Sequence, residues 1–343
     1  MKTYGIMLIG CGHIGREHIQ DIYFRDEFRI EAVVDQNMDR VTEFMHRYHA
    51  KDGGTDYRPF LQSSAIDIVI IATYADSHLT ILEQCLRAGK HVLCEKPIAR
   101  TLEDAQKFCR LVEEASTKVL VAHILRHNRS YQAIAELIHS GAIGQLRLIR
   151  MVQNHHAMNW SRYKRLMEDC PPIVDCGVHY LDIMQWFSGS RITQVSGIST
   201  KLDPDSPCDN FGMIHVRMEN GCIGYYEAGW GKNISAQNVK EFVGDLGRIT
   251  LTLQSNRALD NEEGDLITIY HGDTGEYVTK NIQAKYKNMY AQLRHLVDMI
   301  EQNIPANPTM EQVFQAFRAA LIANKAIEEN RTLSLPLEDG CIR

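Results

Sequence analysis

The chain of 343 residues has no run of 18 consecutive apolar residues, so no segment is expected to cross a bilayer as a helix. It also lacks an excess of positive charge: 37 Lys and Arg stand against 43 Asp and Glu, a formal net charge of -6. That balance offers no basic stripe to a nucleic-acid backbone and no lysine-rich amphipathic stretch to a membrane surface. Small molecules are the expected partners.

Cysteines occur nine times, at 11, 85, 94, 109, 170, 176, 208, 222 and 341, but no C-x-x-C pair is among them. An odd, scattered set indicates neither a disulfide framework nor a zinc ribbon, and reduced thiols are expected. Cys170, Cys176 and His179, with His155 and His156 upstream, come nearest to a metal constellation. Zinc ligands usually stand closer and in pairs, so no metal is predicted. The opening MKTYGIMLIGCG reaches glycine too soon to be a signal peptide, and a cytoplasmic protein is expected. Internal repeats and low-complexity segments are missing too. What is there is 44% hydrophobic and 23% charged, ordinary for a soluble globular chain with room for two domains.

Over the first 120 or so residues, short apolar runs alternate with longer amphipathic ones: YGIMLIG, then 14–24; RIEAVVD, then 38–49; DIVIIAT, then 77–88; HVLCE, then 101–115; KVLVAH. This rhythm predicts a doubly wound parallel sheet with helices on both faces, and the nearly all-apolar strands agree with it. After His123 the pattern changes. A helix over 130–139 ends at SGAIG, a long strand QLRLIRMVQN follows, and a polar, aromatic stretch leads to a helix over 174–187. Five strand-like runs between 191 and 280 predict a large, open, mostly antiparallel sheet, and two helices over 285–302 and 309–329 close the chain. The expected architecture is α/β: a first domain over 1–123 and an α+β second domain over 124–343.

Three motifs carry chemistry. In LIGCGHIG, Gly10, Gly12 and Gly15 have G-x-G-x-x-G spacing between a strand and a helix, and Asp35 ends the next strand. Gly10 permits the turn, Gly12 lets a pyrophosphate approach the backbone at His13 and Ile14, and Gly15 permits close packing. Asp35 would accept hydrogen bonds from a ribose and repel a 2′-phosphate, which favours NAD; Gln36, Asn37 and Arg40 beside it leave NADP open. The second motif, Glu95-Lys96-Pro97, sits at the carboxyl end of the fourth predicted strand, where open α/β sheets bind ligands. Pro97 restricts the backbone there and aims Lys96. In the third, IVDCGVHYLDIMQW, Asp175, His179 and Asp182 share one helical face with Trp186. A histidine flanked by carboxylates suits a general base.

Together, the glycine turn, EKP and DCGVHYLD resemble the Gfo/Idh/MocA family of NAD(P)-dependent sugar and cyclitol oxidoreductases, over essentially the whole chain. The resemblance implies a Rossmann domain followed by the open sheet, and catalytic roles for Lys96, Asp175 and His179. TYADSH corresponds to the segment lining the nicotinamide end, matching at Thr73 and His78, with Tyr74-Ala75 in place of the usual Pro-Asn; Glu95 and Lys96 would also border the cofactor. Pro171-Pro172 stand where the family commonly has glycines. ILRHNRSY resembles the stretch entering the second domain, so Arg126 and Asn128 would face the cleft, with a structural salt bridge as the alternative for Arg126.

The resulting expectation is oxidation of a secondary hydroxyl of a sugar, cyclitol or glycoside. His179 would accept the proton, Lys96 would bind the same oxygen and Asp175 would orient the base or substrate. Asn154, His155, His156, Trp160, Arg162 and Tyr163 have the composition of a sugar-binding wall. A glycosidase using tightly held NAD for transient oxidation and a non-catalytic sugar or dinucleotide sensor are the competing readings. The apolar late strands leave a sheet face to cover, which predicts a homodimer or homotetramer.

Overall fold

Each apolar run of the first half becomes a short buried strand because both of its faces meet helices. A computed structural model describes residues 2–254 and 264–336. Its first unit comprises Met1–Ile124 with Lys287–Phe314. In chain order the unit contains β1 (Tyr4–Ile9), α1 (His13–Gln20), β2 (Phe28–Val34), α2 (Met38–Tyr48), β3 (Asp52–Gly54), β4 (Ile68–Ile71), α3 (Ala75–Arg87), β5 (His91–Cys94), α4 (Leu102–Glu114) and β6 (Val119–Val121). The strands form one parallel sheet in the order β3-β2-β1-β4-β5-β6. All six residues of β1 are buried, and Ile6, Leu8 and Phe44 share a core with Leu293, Leu296 and Val297 of the helix Met289–Gln302, α9 in chain order.

The edge strand β3 has no apolar residue, and sequence reasoning passed over it, so HVLC is the fifth strand rather than the fourth. Its glycines have a packing reason. A Cβ on Gly53 would stand 2.6 Å from Val41 Cγ1 and 2.8 Å from Met45 Sδ of α2. The side chains that normally announce a strand are excluded by the helix lying on it.

The second unit, Leu125–Tyr286 with Gln315–Gly340, holds α5 (Arg129–His139), β7 (Leu146–His156), α6 (Trp160–Asp169), α7 (Pro172–Asp175), α8 (Gly177–Ser188), β8 (Ile192–Thr200), β9 (Phe211–Met218), β10 (Ile223–Gly231), β11 (Gln237–Gly244), β12 (Gly247–Thr252), β13 (Asp265–His271), β14 (Tyr277–Ile282), most of α10 (Met310–Glu328) and β15 (Leu333–Ser334). Nine strands form a single sheet, β14-β13-β12-β11-β7-β10-β9-β8-β15. β10 and β7 pair in parallel and the other neighbours are antiparallel.

Three details differ from expectation. The polar stretch after β7 is partly helical: Asn159 caps α6 by accepting from the Arg162 N–H, a signal hidden among charged residues. KEFVGDLGRITLTL is a hairpin, β11 and β12, which breaks between Gly244 and Gly247. The helix expected over 174–187 is two pieces meeting at Cys176, whose φ of -79° and ψ of -33° keep the backbone helical through the junction. Among the described residues seven cysteines are free thiols, while Cys109 is disulfide-bonded, which corrects the expectation of reduced thiols throughout; scattered spacing gave no sign of it.

Strand alternation sends Lys240 of β11 to the same side as Phe242, toward α8. The lysine is 1% exposed, and its Nζ lies 4.6 Å from the centre of the Tyr180 ring. The amine donates to the carbonyls of Val152 (2.9 Å) and Val239 (3.2 Å) and to Asn238 Oδ1. Burial pushes its pKa down from 10.5 to about 7. Between those values the unfolded chain binds more protons at this site than the folded one does, so stability must rise with pH across the window. Relative to Lys240→Met, the wild-type urea midpoint should therefore move upward between pH 7 and pH 10, by an amount corresponding to about 3 kcal/mol. A difference independent of pH would show that the amine is not shifted.

Candidate active site

The glycine turn is built as its spacing requires. Gly10 has a φ of +104°, and a Cβ there would come within 2.4 Å of the Ala72 carbonyl oxygen at the end of β4. A Cβ on Gly15 would lie 1.9 Å from the Gly10 carbonyl oxygen, so α1 can approach the turn only with glycine at that point. Gly12 differs: its Cβ would meet nothing within 4 Å. This open space lies over the N-terminus of α1, which has no side-chain cap and no acidic residue in its first turn. The first-turn N–H groups of a helix and its dipole suit a pyrophosphate there. The turn thus fits the dinucleotide that its spacing implies.

Asp35 accepts from the Cys11 N–H through Oδ2 (2.9 Å) and from the Asn37 N–H through Oδ1 (2.9 Å). One carboxylate thereby ties the glycine turn to the end of β2. Gln36 is exposed beside it, and an Arg40 guanidinium nitrogen lies 3.9 Å from Asp35 Oδ2.

At the end of β5, Glu95 is buried and Lys96 is half-buried. Glu95 Oε1 is 2.8 Å from His18 Nε2 of α1, and Oε2 accepts from the Lys96 N–H at 3.2 Å. Burial by itself would raise the Glu95 pKa; the His18 hydrogen bond, followed by the His18 and Lys96 charges, holds it below the usual carboxylate value. His18 is a functional neighbour that sequence reasoning missed. Its only signal was a polar residue on the inward side of α1. His78 is also buried, with Nδ1 2.9 Å from the Pro97 carbonyl oxygen and Nε2 3.1 Å from that of Thr73. Thr73 itself is half-buried and accepts from the Ser77 hydroxyl.

In the second unit, every residue from Pro172 to Met184 is buried except Asp175 and His179. These two stand four residues apart and reach the surface together on an otherwise enclosed segment. The expected stripe divides beyond them. Asp182 is buried and accepts from Arg126 Nε (2.8 Å) and Nη2 (2.7 Å), while the Arg126 guanidinium also lies 4.6 Å from the Trp186 ring centre. Arg126 thus holds the salt bridge and is not placed as a cleft residue. Asn128, paired with it in the sequence reading, caps α5 and donates to the Lys285 and Tyr286 carbonyls.

The expected sugar-binding wall is also divided. His155 shares its side of the sheet with Met151, whose cross-strand partner Tyr226 stacks on Tyr180 of α8. Its ring faces Tyr163, with centroids 6.1 Å apart. Asn154, one residue earlier, points to the opposite side, where its amide donates to Glu227. The grouping of Asn154 with His155 fails on this period of two. Trp160 begins α6 and donates its indole N–H to Asp205 at 2.8 Å, with Lys232 Nζ 4.8 Å from its ring centre. Among the described residues, no group of three or more His, Cys, Asp or Glu could hold a metal ion, and no helix is long and apolar enough to cross a membrane.

Residues 4–123 match the family model described as "Oxidoreductase family, NAD-binding Rossmann fold", and residues 131–250 match the "GFO/IDH/MocA C-terminal domain". An inositol 2-dehydrogenase of Saccharopolyspora erythraea is 27% identical over 302 residues, covering 84% of this chain and 82% of its own. A myo-inositol 2-dehydrogenase of Thermotoga maritima is 22% identical over 338 residues, covering 96% and 98%. The crystal structure of scyllo-inositol dehydrogenase from Lactobacillus casei, with bound NAD(H) and scyllo-inositol, superposes with a TM-score of 0.80 at 22% identity over 97% of this chain and 99% of that one. With both of its domains matched and its glycine turn shaped for NAD, the chain belongs to the Gfo/Idh/MocA family of oxidoreductases.

Proposed function

We propose that this protein is an NAD-dependent dehydrogenase that oxidises a secondary hydroxyl of a cyclitol or related sugar. The observation that carries this reading is the joint exposure of Asp175 and His179 on a segment buried everywhere else from Pro172 to Met184. A segment that from Pro172 to Met184 is open to solvent only at a carboxylate and an imidazole presents one proton acceptor and one group to orient it. His179 takes the hydroxyl proton as the carbon-hydrogen bond breaks. Lys96 donates a hydrogen bond to the same oxygen and stabilises its developing negative charge. Asp175 orients His179 or a neighbouring substrate hydroxyl. When bound, NAD would supply the hydride acceptor; the backbone of Gly10–Gly15 would hold its pyrophosphate and Asp35 its ribose. The inositol dehydrogenases among the relatives support a cyclitol as substrate.

A panel of inositols, sugars and glycosides, assayed by NADH absorbance and product chromatography, should yield a ketone product together with NADH. Lys96→Ala and His179→Ala should each lower kcat with the best substrate by about 10²-fold or more while melting normally, a loss expected from removing a proton acceptor or an oxyanion donor. Wild-type turnover in both folded variants would remove them from the mechanism. Asp35→Ser should lower the preference for NAD over NADP; because Asp35 also ties down the Cys11 N–H, NAD affinity should fall as well. An unchanged cofactor ratio would exclude the ribose role.

The partner proposed for the sheet side away from α8 is a second copy of the chain. Register places Ile198, Met213, Glu227, Val152 and Val239 in one row across five strands on that side. Ile198 and Val239 are 58% and 48% exposed, and Ile223 nearby is 43% exposed. Arg150 and Glu241 pair across β7 and β11 on the same side, giving the polar setting expected around an apolar interface centre. A homodimer or homotetramer should appear in sedimentation, and Ile198→Asp combined with Val239→Asp should shift it toward monomer. A wild-type monomer at micromolar concentration would overturn this assignment.

A further inference from the structure

Lys96 sits between two residues that are each held by a buried histidine. On its N-terminal side, the Glu95 carboxylate receives His18 Nε2 at 2.8 Å and the Lys96 N–H at 3.2 Å. On its C-terminal side, the Pro97 carbonyl lies 2.9 Å from His78 Nδ1. His18 and His78 are each 1% exposed, and Glu95 is 7% exposed. The histidines come from different elements, α1 and α3, so the strand end carrying Lys96 is pinned from two directions. His78 reaches further, because its Nε2 lies 3.1 Å from the Thr73 carbonyl oxygen after β4. A carbonyl can only accept, so whichever ring nitrogen carries the proton donates to one of these two carbonyls.

We propose that His18 and His78 are positioning residues that together fix Lys96, His18 through the Glu95 carboxylate and His78 through the Pro97 carbonyl. His18, His78 and Glu95 are nearly sealed from solvent, so the role proposed for the two histidines acts through Lys96 and not by contact with substrate. Their function is to hold the lysine against thermal motion, and a displacement of about 1 Å at a reacting group can cost about 10²-fold in rate. The clamp also explains how a carboxylate remains ionised in a buried position beside β5. One oxygen is bonded to an imidazole and the other to a backbone N–H. The kinetic part of this inference rests on the proposed role of Lys96 in turnover; the structural part does not.

The test has two arms. In the first, the cofactor-free protein is treated with acetic acid N-hydroxysuccinimide ester, and acylation of Lys96 is followed by peptide mass spectrometry. His18→Leu and His78→Leu should each change the Lys96 rate several-fold while exposed Lys51 reacts as in wild type. His18→Gln and His78→Gln, which keep an N–H donor, should lie nearer wild type and serve where a leucine variant fails to fold. Wild-type Lys96 rates in every folded variant would overturn the clamp, whatever the enzyme's reaction.

In the second arm, turnover with the best polyol of the panel is measured for the same variants on wild-type and Lys96→Ala backgrounds. Each leucine change should lower kcat about 10- to 100-fold with Lys96 present and by less than about threefold without it, the non-additivity of residues acting as a unit. For the His18 variants the NAD dissociation constant should stay within about threefold. Equal losses on both backgrounds would show that the histidines act otherwise than through Lys96. If Lys96→Ala alone leaves turnover intact, the dehydrogenase mechanism fails, and the acylation arm still decides the clamp.

Discussion

A charge is buried at low cost only where another group satisfies it, and the candidate residues of each unit lean on this constraint. In the second unit, the Arg126-Asp182 pair is nearly sealed from solvent, with two hydrogen bonds between guanidinium and carboxylate. Asp182 lies one helical turn beyond His179, so the pair fixes the helix that carries the proposed base. Removing one partner of such a pair costs about 3 to 5 kcal/mol, mostly because the other is left charged and alone. In the first unit, the His18-Glu95 contact has the same relation to Lys96. Each of the two candidate side chains, Lys96 and His179, thus stands near a buried polar partnership.

This arrangement clarifies which residues were legible from sequence. Asp175, His179 and Lys96 could be found because a charged residue at the end of an apolar strand, or a polar stripe on an apolar helix, is anomalous unless it has a function or a partner. Sequence could not separate those two explanations. Asp182 and Asp175 look alike in the stripe, yet one binds Arg126 inside the protein and the other reaches the surface. The deciding fact, where Arg126 lies, depends on a contact spanning 56 positions. Likewise, His18 acquires its meaning only through Glu95, 77 positions away.

The fold was more legible than the site because it depends on local period. Apolar runs separated by amphipathic segments specify parallel strands and covering helices, and alternating runs specify the second sheet. The failures occurred where packing overrides period. β3 has glycines because Val41 and Met45 occupy the space its side chains would take. The α6 segment was too charged to show an apolar face. Asn154 and His155 were grouped by composition, whereas a strand separates neighbours onto opposite faces.

Lys240 shows the same constraint where no oppositely charged partner is supplied. Its three acceptors are two carbonyls and an amide oxygen, all uncharged, and the Tyr180 ring lies beside the ammonium. These groups orient the amine but do not repay the loss of hydration, so its proton is held more weakly and its pKa falls to about 7. Glu95 is buried as well, yet His18 and Lys96 turn its shift the opposite way and favour the charged form. The contrast lies in the neighbours, not in depth of burial. The buried charges beside Lys96 and His179 are kept by pairing, while at Lys240 the proton is simply held more weakly.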